Sequence, residues 1–322
     1  MSVSLFCLSR FSLSAVTLAL ALPCALAWTD KPVKMVVPAP AGGTMDVVAR
    51  VVAEQLSADI GQPVIIESKP GGGTTIAAAF VARANPDGYT LLLSTSQHAI
   101  APALFKNLSY DIVTHLTSIA LASESPLFLV VRPDRGINSM GDLMAKLKQN
   151  SAAMNYSSSG LASLPHLAGA FLNQMTGSSA THIPFTGLAP ALTALLGGQV
   201  DYLFADTSAV PHINAGKVRA LAVSSPTRLP GFPDLPTLGE SLPGFQFTVW
   251  TGLDAPTGTP RAVIDQVHDA VQKALASPAM KKLYLDTSRT PSALSPDQFA
   301  AFKAGEVQKY QKLSREAGIK AE

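Results

Sequence analysis

The stretch from Val33 to Arg50, VKMVVPAPAGGTMDVVAR, limits most strongly what this chain can fold into. It opens with an apolar, β-branched run, passes through prolines and the pair Gly42 and Gly43, and continues as a helical pattern from Thr44 to Asp46. This order predicts a strand, a glycine turn and a helix. Unpaired backbone N–H groups and a partial positive charge at a helix N-terminus make such a turn able to bind an anion, for example a carboxylate. A Pro/Gly turn can equally join any strand to any helix, with Thr44 or Asp46 as an ordinary N-cap.

Residues 1–27 have the pattern of an export signal. Arg10 is the only charge, residues 13–22 are mostly apolar, and Ala25-Leu26-Ala27 gives a small-x-small cleavage site before Trp28. No later segment offers the roughly 18 uncharged apolar residues of a membrane span. We therefore expect a soluble, exported chain that starts near Trp28 and lies in the periplasm. A lipoprotein signal ending at Cys24 is the rival interpretation, and Pro23 before that cysteine fits it poorly.

The positions of the cysteines and the net charge exclude some classes of function. Cys7 and Cys24 both fall inside the predicted signal, so the mature chain would have no disulfide, thiolate nucleophile or cysteine-based metal site. Loss of Arg10 leaves 23 basic residues against 22 acidic ones. This near-neutral balance gives no electrostatic case for binding nucleic acid.

Strand and helix patterns alternate along the mature chain, which predicts an α/β fold with parallel strands and crossover helices. Residues 94–104 read as a polar loop, residues 226–258 as a connecting region, and Phe245–Leu253 within it as a return strand. The predicted domains are lobe 1 at residues 28–124 plus 249–322 and lobe 2 at 125–248. Two crossings between lobes permit hinge closure over a cleft.

Many short pieces of the mature chain, in order, resemble one family. They include GQPVIIESKPGGG, ANPDGYTLLL, VVRPD, MNYSSSG, HIPFTGLAPALTALLGGQVDYLF, PHINAGKVRALAVSS and WTGLDAPTGTP. With the opening stretch, these pieces are similar to the periplasmic solute-binding proteins of tripartite tricarboxylate transport systems, the Bug receptors numerous in Bordetella. The resemblance implies a type II periplasmic binding protein fold, with two α/β lobes joined by crossing strands that close on a small ligand.

The resemblance also implies how the ligand is held. Backbone amides and waters of the first glycine loop would bind its carboxylate, and a serine-rich loop of the facing lobe would complete the grip. The candidates carried over by position are Ala41, Gly42, Gly43, Thr44, Asp46 and Ser96 in lobe 1, and Ser157, Ser158, Ser159, Gly160, Thr186, Gly187 and Asp206 in lobe 2. All follow predicted strands, at the carboxyl ends where open α/β sheets place ligands.

The chain departs from the family pattern at several positions, and these departures bear on the ligand rather than on the fold. Ala162 and Ser163 stand where the family usually has a second glycine and a serine, and Thr186 stands where a Lys or Arg is common. Ile112 replaces a usual proline, and the segment 205–210 is about one residue short at Asp206.

Other motifs favour structural roles. The serine run Ser157–Ser159 lacks the G-x-S-x-G frame of a nucleophile and can also be a plain polar turn. The triple glycine at 71–73 lacks the third spaced glycine of a dinucleotide site. The histidines have no zinc-type spacing. His166 and His212 fall at predicted helix starts, where capping and ligand contact are both open. No cofactor or metal is predicted.

The sequence therefore favours a non-enzymatic, monomeric receptor that captures a small mono- or dicarboxylate, or an amino acid, for membrane transporter subunits. The alternative is a ligand-sensing module of the same fold that is read by a sensor kinase. Asp46 can point inward and accept a hydrogen bond from the ligand, or it can only cap the helix. Both roles stay open at this stage.

Overall fold

The computed structural model describes residues 30–42, 44–161, 163–316 and 318–319, without the side chains of Thr44 and Asp286. The predicted export signal and both cysteines lie outside these residues, as does Gly43. Among the helices of the described ranges, none combines the length and apolar character needed to cross a membrane.

Strands and helices alternate through most of the described chain. In chain order the strands are β1 (Val33–Val37), β2 (Val64–Ser68), β3 (Thr90–Thr95), β4 (Leu116–Pro126), β5 (Phe128–Val131), β6 (Asn155–Ser158), β7 (Thr181–Pro184), β8 (Tyr202–Ala205), β9 (Arg219–Val223), β10 (Thr248–Pro256) and β11 (Thr290–Pro291). The α-helices are α1 (Thr44–Ile60), α2 (Thr75–Ala82), α3 (Ser96–Leu104), α4 (Met140–Asn150), α5 (Leu164–Thr176), α6 (Leu188–Leu196), α7 (Val210–Asn214), α8 (Leu238–Ser241), α9 (Arg261–Ala276), α10 (Pro278–Asp286) and α11 (Pro296–Glu316).

The strands form two sheets, one in each lobe. The first sheet has the order β2-β1-β3-β10-β4-β11, and the second has the order β7-β6-β8-β5-β9. Strands β1, β2 and β3 pair in parallel, as do β6, β7 and β8, whereas β10 runs antiparallel to β3 and β4. The expectation of parallel strands is therefore right for β1–β3 and for β6–β8. It is wrong for the crossing strands β4 and β10, for β5, which pairs antiparallel with β8 and β9, and for β11.

Strands β4 and β10 connect the lobes. They pair along their length, from Thr248 opposite Pro126 to Pro256 opposite Leu116. Where they meet the second sheet, the Ser224 hydroxyl accepts a hydrogen bond from the Leu127 N–H at 2.8 Å, and the Ser224 carbonyl accepts one from the Phe247 N–H at 3.0 Å. The lobe boundaries at residues 124/125 and 248/249 stay predictions.

A large apolar core lies behind the crossing strands. Trp250 of β10 is fully buried and packs edge-to-face against Phe299 of α11, with ring centroids 5.7 Å apart. The Lys303 ammonium, on the same helix, pairs with the buried Asp254 carboxylate and donates to the Leu116 carbonyl oxygen at 3.0 Å. Because a buried charge is costly without a partner, this pair fixes α11 against both crossing strands.

Four elements differ from the sequence-based expectation, among them the short helix α8, which lies in the expected connecting region. Residues 96–104 form helix α3 rather than a loop, because Thr95 and His98 form a capping box at its start. Helix α10 and the short strand β11 were not predicted. Together they return the chain to β4, where Pro291 pairs with Ser123.

Candidate functional site

The turn between β1 and α1 is held by Asp46. Its Oδ2 atom accepts hydrogen bonds from the Gly42 N–H at 3.0 Å and from Arg50 Nε at 2.9 Å, and its Oδ1 accepts from Arg50 Nη2 at 3.2 Å. Gly42 has a φ of 88°, a conformation that favours glycine. Arg50 and then the Gly42 N–H lower the pKa of the Asp46 carboxyl. Of the two roles left open for Asp46, these contacts correspond to the structural one.

The other candidate residues of this turn are Ala41, Gly43 and Thr44. Ala41 is exposed beside Gly42, and Thr44 begins α1. Gly43 lies outside the described residues. A helix of 17 residues thus starts directly at the glycine turn, as the sequence predicts. Its first backbone N–H groups have no intrahelical partner and favour a negatively charged group.

The start of α3 supplies the second candidate of lobe 1. Ser96 is buried in its first turn, and the Thr95 hydroxyl accepts from the Gln97 N–H at 3.0 Å. The Thr95 N–H donates to His98 Nδ1 at 3.0 Å, so the neutral ring carries its proton on Nε2 and donates to the Thr74 carbonyl oxygen at 3.1 Å. Burial lowers the pKa of His98 to about 4. His98 therefore joins α3 to the glycine-rich turn at 71–74 as a neutral side chain.

The strand register places these lobe 1 features at one end of the sheet. Thr95 at the end of β3 lies opposite Thr251 of β10, and Thr251 lies opposite Ser123 of β4. Strand β1 is parallel to β3 and ends at Val37, just before the glycine turn. Ser96, the glycine turn and the end of β4 therefore share the edge of the sheet from which the chain crosses to lobe 2.

In lobe 2, two of the predicted serines are buried and engaged within the lobe. The Ser157 hydroxyl donates to the Ala191 carbonyl oxygen at 3.3 Å. Ser158 Oγ accepts from the Gly160 N–H at 3.1 Å and lies 2.6 Å from Nε2 of His182. These side chains thus shape the serine loop, and its remaining backbone N–H groups are the donors that we expect to face a ligand.

The serine loop turns at Gly160 and ends at the N-cap of α5. Gly160 has a φ of 135°, and a Cβ added there would lie 3.5 Å from the Phe185 carbonyl oxygen. The Ser163 hydroxyl donates to the Gly160 carbonyl oxygen at 2.8 Å and accepts from the His166 N–H at 3.4 Å. Ser159 is half-buried in the same loop, and Ala162 lies outside the described residues. This loop again leads into a helix N-terminus.

A stack of aromatic rings lies beside the serine loop. The imidazoles of His166 and His182 are nearly parallel with centroids 3.8 Å apart, and Tyr156 lies 5.0 Å from His182. Burial lowers the pKa of both histidines to about 4. Sequence reasoning did not assign His182 to the site. The pairing of Tyr156 with His182 in neighbouring parallel strands brings this histidine there, and this pairing is seen only in the structure.

The last lobe 2 candidates follow the next two strands. Thr186 is exposed after β7, and Gly187 is the N-cap of α6 with a φ of 122°. Asp206 follows β8, and its Oδ1 accepts from the Ser208 N–H at 2.8 Å. The Phe185 N–H donates to the Ser158 carbonyl oxygen at 3.1 Å, which ties the turn after β7 to the serine loop.

The sequence analysis did not identify Arg289, a cation near the edge of the lobe 1 sheet where β4 ends. Arg289, between α10 and β11, donates from Nη1 to Ser123 Oγ at 3.3 Å. Burial lowers its pKa, while Tyr284 and Asp206 act on that pKa in the opposite direction. No local motif marks Arg289, because its position depends on the return of the chain to β4.

The arrangement suits anion binding through the backbone. Helix α1 in lobe 1 and helix α5 in lobe 2 each begin at a loop. The side chains of each loop form hydrogen bonds within that loop and fix its conformation. Within the described ranges, no group of three or more His, Cys, Asp or Glu side chains is placed to hold a metal ion.

Comparison with known proteins identifies the family. The sequence profile described as the tripartite tricarboxylate transporter family receptor, TctC, matches residues 48–319. The chain belongs to this family. This TctC receptor is 36% identical to a UPF0065 protein of Bordetella bronchiseptica, over 96% of the chain and 92% of that protein. It is 34% identical to BugT of Bordetella pertussis, over 90% of each chain.

Solved structures agree with this membership. The periplasmic binding protein BugD matches with a TM-score of 0.75 at 36% identity, over 91% of this chain and 99% of that one. Rpa4515 of R. palustris with adipate gives 0.78 at 30% identity, over 92% and 100%. MatC of Rhodopseudomonas palustris with bound malate gives 0.73 at 33% identity, over 88% and 99%. The family and the two-lobe periplasmic binding protein fold implied by the sequence are thus confirmed.

Proposed function

We propose that this TctC receptor captures a small mono- or dicarboxylate between its lobes and delivers it, as a monomer and without catalysing a reaction, to a tripartite tricarboxylate-type transporter. The observation that carries the proposal is the pair of helix N-termini, of α1 and α5, each preceded by a turn that internal hydrogen bonds hold in place. Relatives with adipate and with malate support a carboxylate as the ligand class.

The two turns provide donors that need little rearrangement on binding. In the first turn, the buried Asp46 carboxylate holds the Gly42 N–H and the Arg50 guanidinium. In the second, Ser158 and Ser163 both bond to the backbone of Gly160. Preorganised N–H groups lose little conformational entropy when a ligand arrives, so they raise affinity without a positively charged side chain.

Closure is proposed to occur about the two crossing strands, with lobe 1 at residues 28–124 plus 249–322 and lobe 2 at 125–248. The proposed ligand-binding set is that named from the sequence, with Asp46, Ser157 and Ser158 holding the loops rather than contacting the ligand. The Gly42 and Gly160 N–H groups are already paired with Asp46 and Ser158, so these two glycines shape the loops in the same way. Family membership supports delivery to a transporter rather than to a sensor kinase, and export by residues 1–27 belongs to the same proposal.

The test is thermal unfolding of the refolded, ligand-free protein with a panel of mono-, di- and tricarboxylates and acidic amino acids. The corresponding amides serve as uncharged controls. A ligand that binds only the folded state adds about 2.7 kcal/mol to the free energy of unfolding at a hundredfold excess over its Kd. We expect stabilisation by at least one acid and by none of the amides. A protein that unfolds cooperatively but is stabilised by no acid would overturn the proposal.

A further inference from the structure

The side chain of Arg289 is directed by a well-defined turn. Its backbone N–H donates to the Tyr284 carbonyl oxygen at 2.9 Å, across Ser288, which has a φ of 49°. Immediately afterwards β11 pairs with β4, where Thr290 lies opposite Glu124 and Pro291 opposite Ser123. The C-terminal end of α10 and strand β11 therefore fix the backbone position of Arg289.

The guanidinium of Arg289 has an unused buried donor. Nη1 donates to Ser123 Oγ at 3.3 Å, whereas Nε is buried and has no hydrogen-bond partner among the described residues. The nearby Tyr284 hydroxyl is already used, because it donates to the Ala122 carbonyl oxygen at 2.9 Å. Buried donors in proteins are nearly always paired, so this N–H of a cation is available to a further acceptor.

The surroundings of Arg289 belong to both lobes. A cavity of about 220 Å³ is lined on the lobe 1 side by Tyr284, Leu285 and residues 288–291, and on the lobe 2 side by Leu229, Pro230 and Gly231. Asp206 of lobe 2 acts electrostatically on the guanidinium. The arginine is thus placed where lobe 1 faces lobe 2.

The register relates Arg289 to the proposed site. Its partner Ser123 is two strand positions from Thr95, through Thr251 of β10. Neighbouring strands are about 4.8 Å apart, so the Ser123 and Thr95 positions are separated by roughly 10 Å along the edge of the sheet. The turn before α1 follows β1, one strand further from β4 than β3, so it is separated from Ser123 by about 14 Å. A ligand held at either turn can therefore present a second group toward Arg289 only if a chain of several carbons separates its ends.

We propose that Arg289 binds a second carboxylate of the ligand and makes this receptor selective for extended dicarboxylates over monocarboxylates of the same length. The inference rests on the proposed function, because it assigns the ligand's second charge within that site. A guanidinium is suited to this role, since its planar set of donors matches the two oxygens of a carboxylate. The glycine turn before α1 and the serine loop before α5 contain no cationic side chain and would bind only the first carboxylate.

The experiment is isothermal titration calorimetry with adipate and hexanoate, which have the same number of carbons and differ by one carboxylate. The unaltered protein should bind adipate at least about tenfold more tightly than hexanoate. Arg289→Gln, which keeps a donor for Ser123, should lose about tenfold or more in adipate affinity and no more than about twofold for hexanoate. Arg289→Lys should retain part of the preference, because it keeps the charge but not the planar donor set.

Two further variants make the test specific. Arg261→Gln removes one positive charge from a surface arginine that pairs with Asp265 and Asp297, and should leave both affinities unchanged. Asp206→Asn keeps an acceptor for the Ser208 N–H but removes a negative charge near Arg289, so adipate should bind more tightly. Thermal unfolding of each free variant shows that it is folded.

Three outcomes of the calorimetric titrations would overturn the inference. The first is equal loss of adipate and hexanoate affinity in Arg289→Gln, and the second is no loss of either. The third is an unaltered protein that binds adipate and hexanoate equally, a result that needs no variant to fold. If the unaltered protein binds no acid in the thermal panel, the proposed function fails, and this inference fails with it. Binding of acids without a role for Arg289 contradicts only the inference.

Discussion

The carboxylate of Asp46 and the guanidinium of Arg50 form a paired contact one helical turn apart, with Nε–Oδ2 at 2.9 Å and Nη2–Oδ1 at 3.2 Å. The Asp46 side chain is only 4% exposed, whereas that of Arg50 is 62% exposed. Water therefore reaches the cation freely, while the carboxylate faces inward to the Gly42 N–H. The pair closes the turn that precedes α1 and leaves the helix N-terminus able to receive an anion.

Loss of the Asp46 hydrogen bonds to Gly42 and Arg50 should weaken the binding of every carboxylate to a similar extent. In Asp46→Ala the turn loses the hydrogen bonds to Gly42 and Arg50, and we expect affinity to fall roughly tenfold. The matched control is Arg50→Gln, which keeps the Gly42 contact and should lose about twofold. Calorimetric titration with a monocarboxylate, a dicarboxylate and an amino acid measures the effect. A loss confined to the amino acid would instead support direct contact between Asp46 and the ligand.

Stability should fall as the pH is lowered, because buried histidines stay neutral in the folded chain. His98 has a folded pKa of about 4 and an unfolded value of about 6.5. Between these values the unfolded state binds the extra proton. The contribution of His98 is therefore complete above about pH 6.5 and decreases by about 1.4 kcal/mol per pH unit toward pH 4. His166 and His182 act in the same direction.

Urea unfolding between about pH 7.5 and about pH 4.5 measures this dependence. His98→Asn is the informative variant, because an amide oxygen can accept from the Thr95 N–H without titrating in this range. Its stability should fall less steeply with decreasing pH than that of the unaltered protein. Parallel curves for the two proteins would show that His98 is not the group that titrates.

The same glycine-to-alanine change should have opposite effects in two helices. In α5, a Cβ at Gly169 would lie 2.1 Å from Cε2 of Tyr156, so Gly169→Ala should destabilise the protein by about 1–3 kcal/mol and disturb the serine loop. In α11, a Cβ at Gly305 would meet nothing within 4 Å, so Gly305→Ala should stabilise by up to about 1 kcal/mol. Urea unfolding measures both. A neutral Gly169→Ala would contradict the predicted clash with Tyr156.

The sequence predicted best the elements whose signals are local. The alternation of strands and helices along the chain was predicted correctly, because serine, glycine and proline interrupt the apolar periodicity between them. The glycine turn before α1 was found in the same way. Family resemblance then gave the fold class, which the pattern of strands and helices alone left general.

The parts that were missed depend on contacts distant in sequence or on an unusual cap. Helix α3 starts with polar residues and contains Pro102, and its capping box uses His98 instead of the usual Glu or Gln. Strand β11 is two residues long and exists only through its pairing with β4. Arg289 reaches Ser123, 166 positions earlier in the chain, so no local pattern could place it near the site.

The most direct test of the proposed site is a crystal structure of this TctC receptor with the acid that stabilises it most. We expect one carboxylate within about 2.7–3.2 Å of backbone N–H groups at the turn before α1, with the loop Ser157–Gly160 and the start of α5 closed over the same ligand. An acid bound elsewhere, or held in the cleft without contact to either helix N-terminus, would contradict the proposed site.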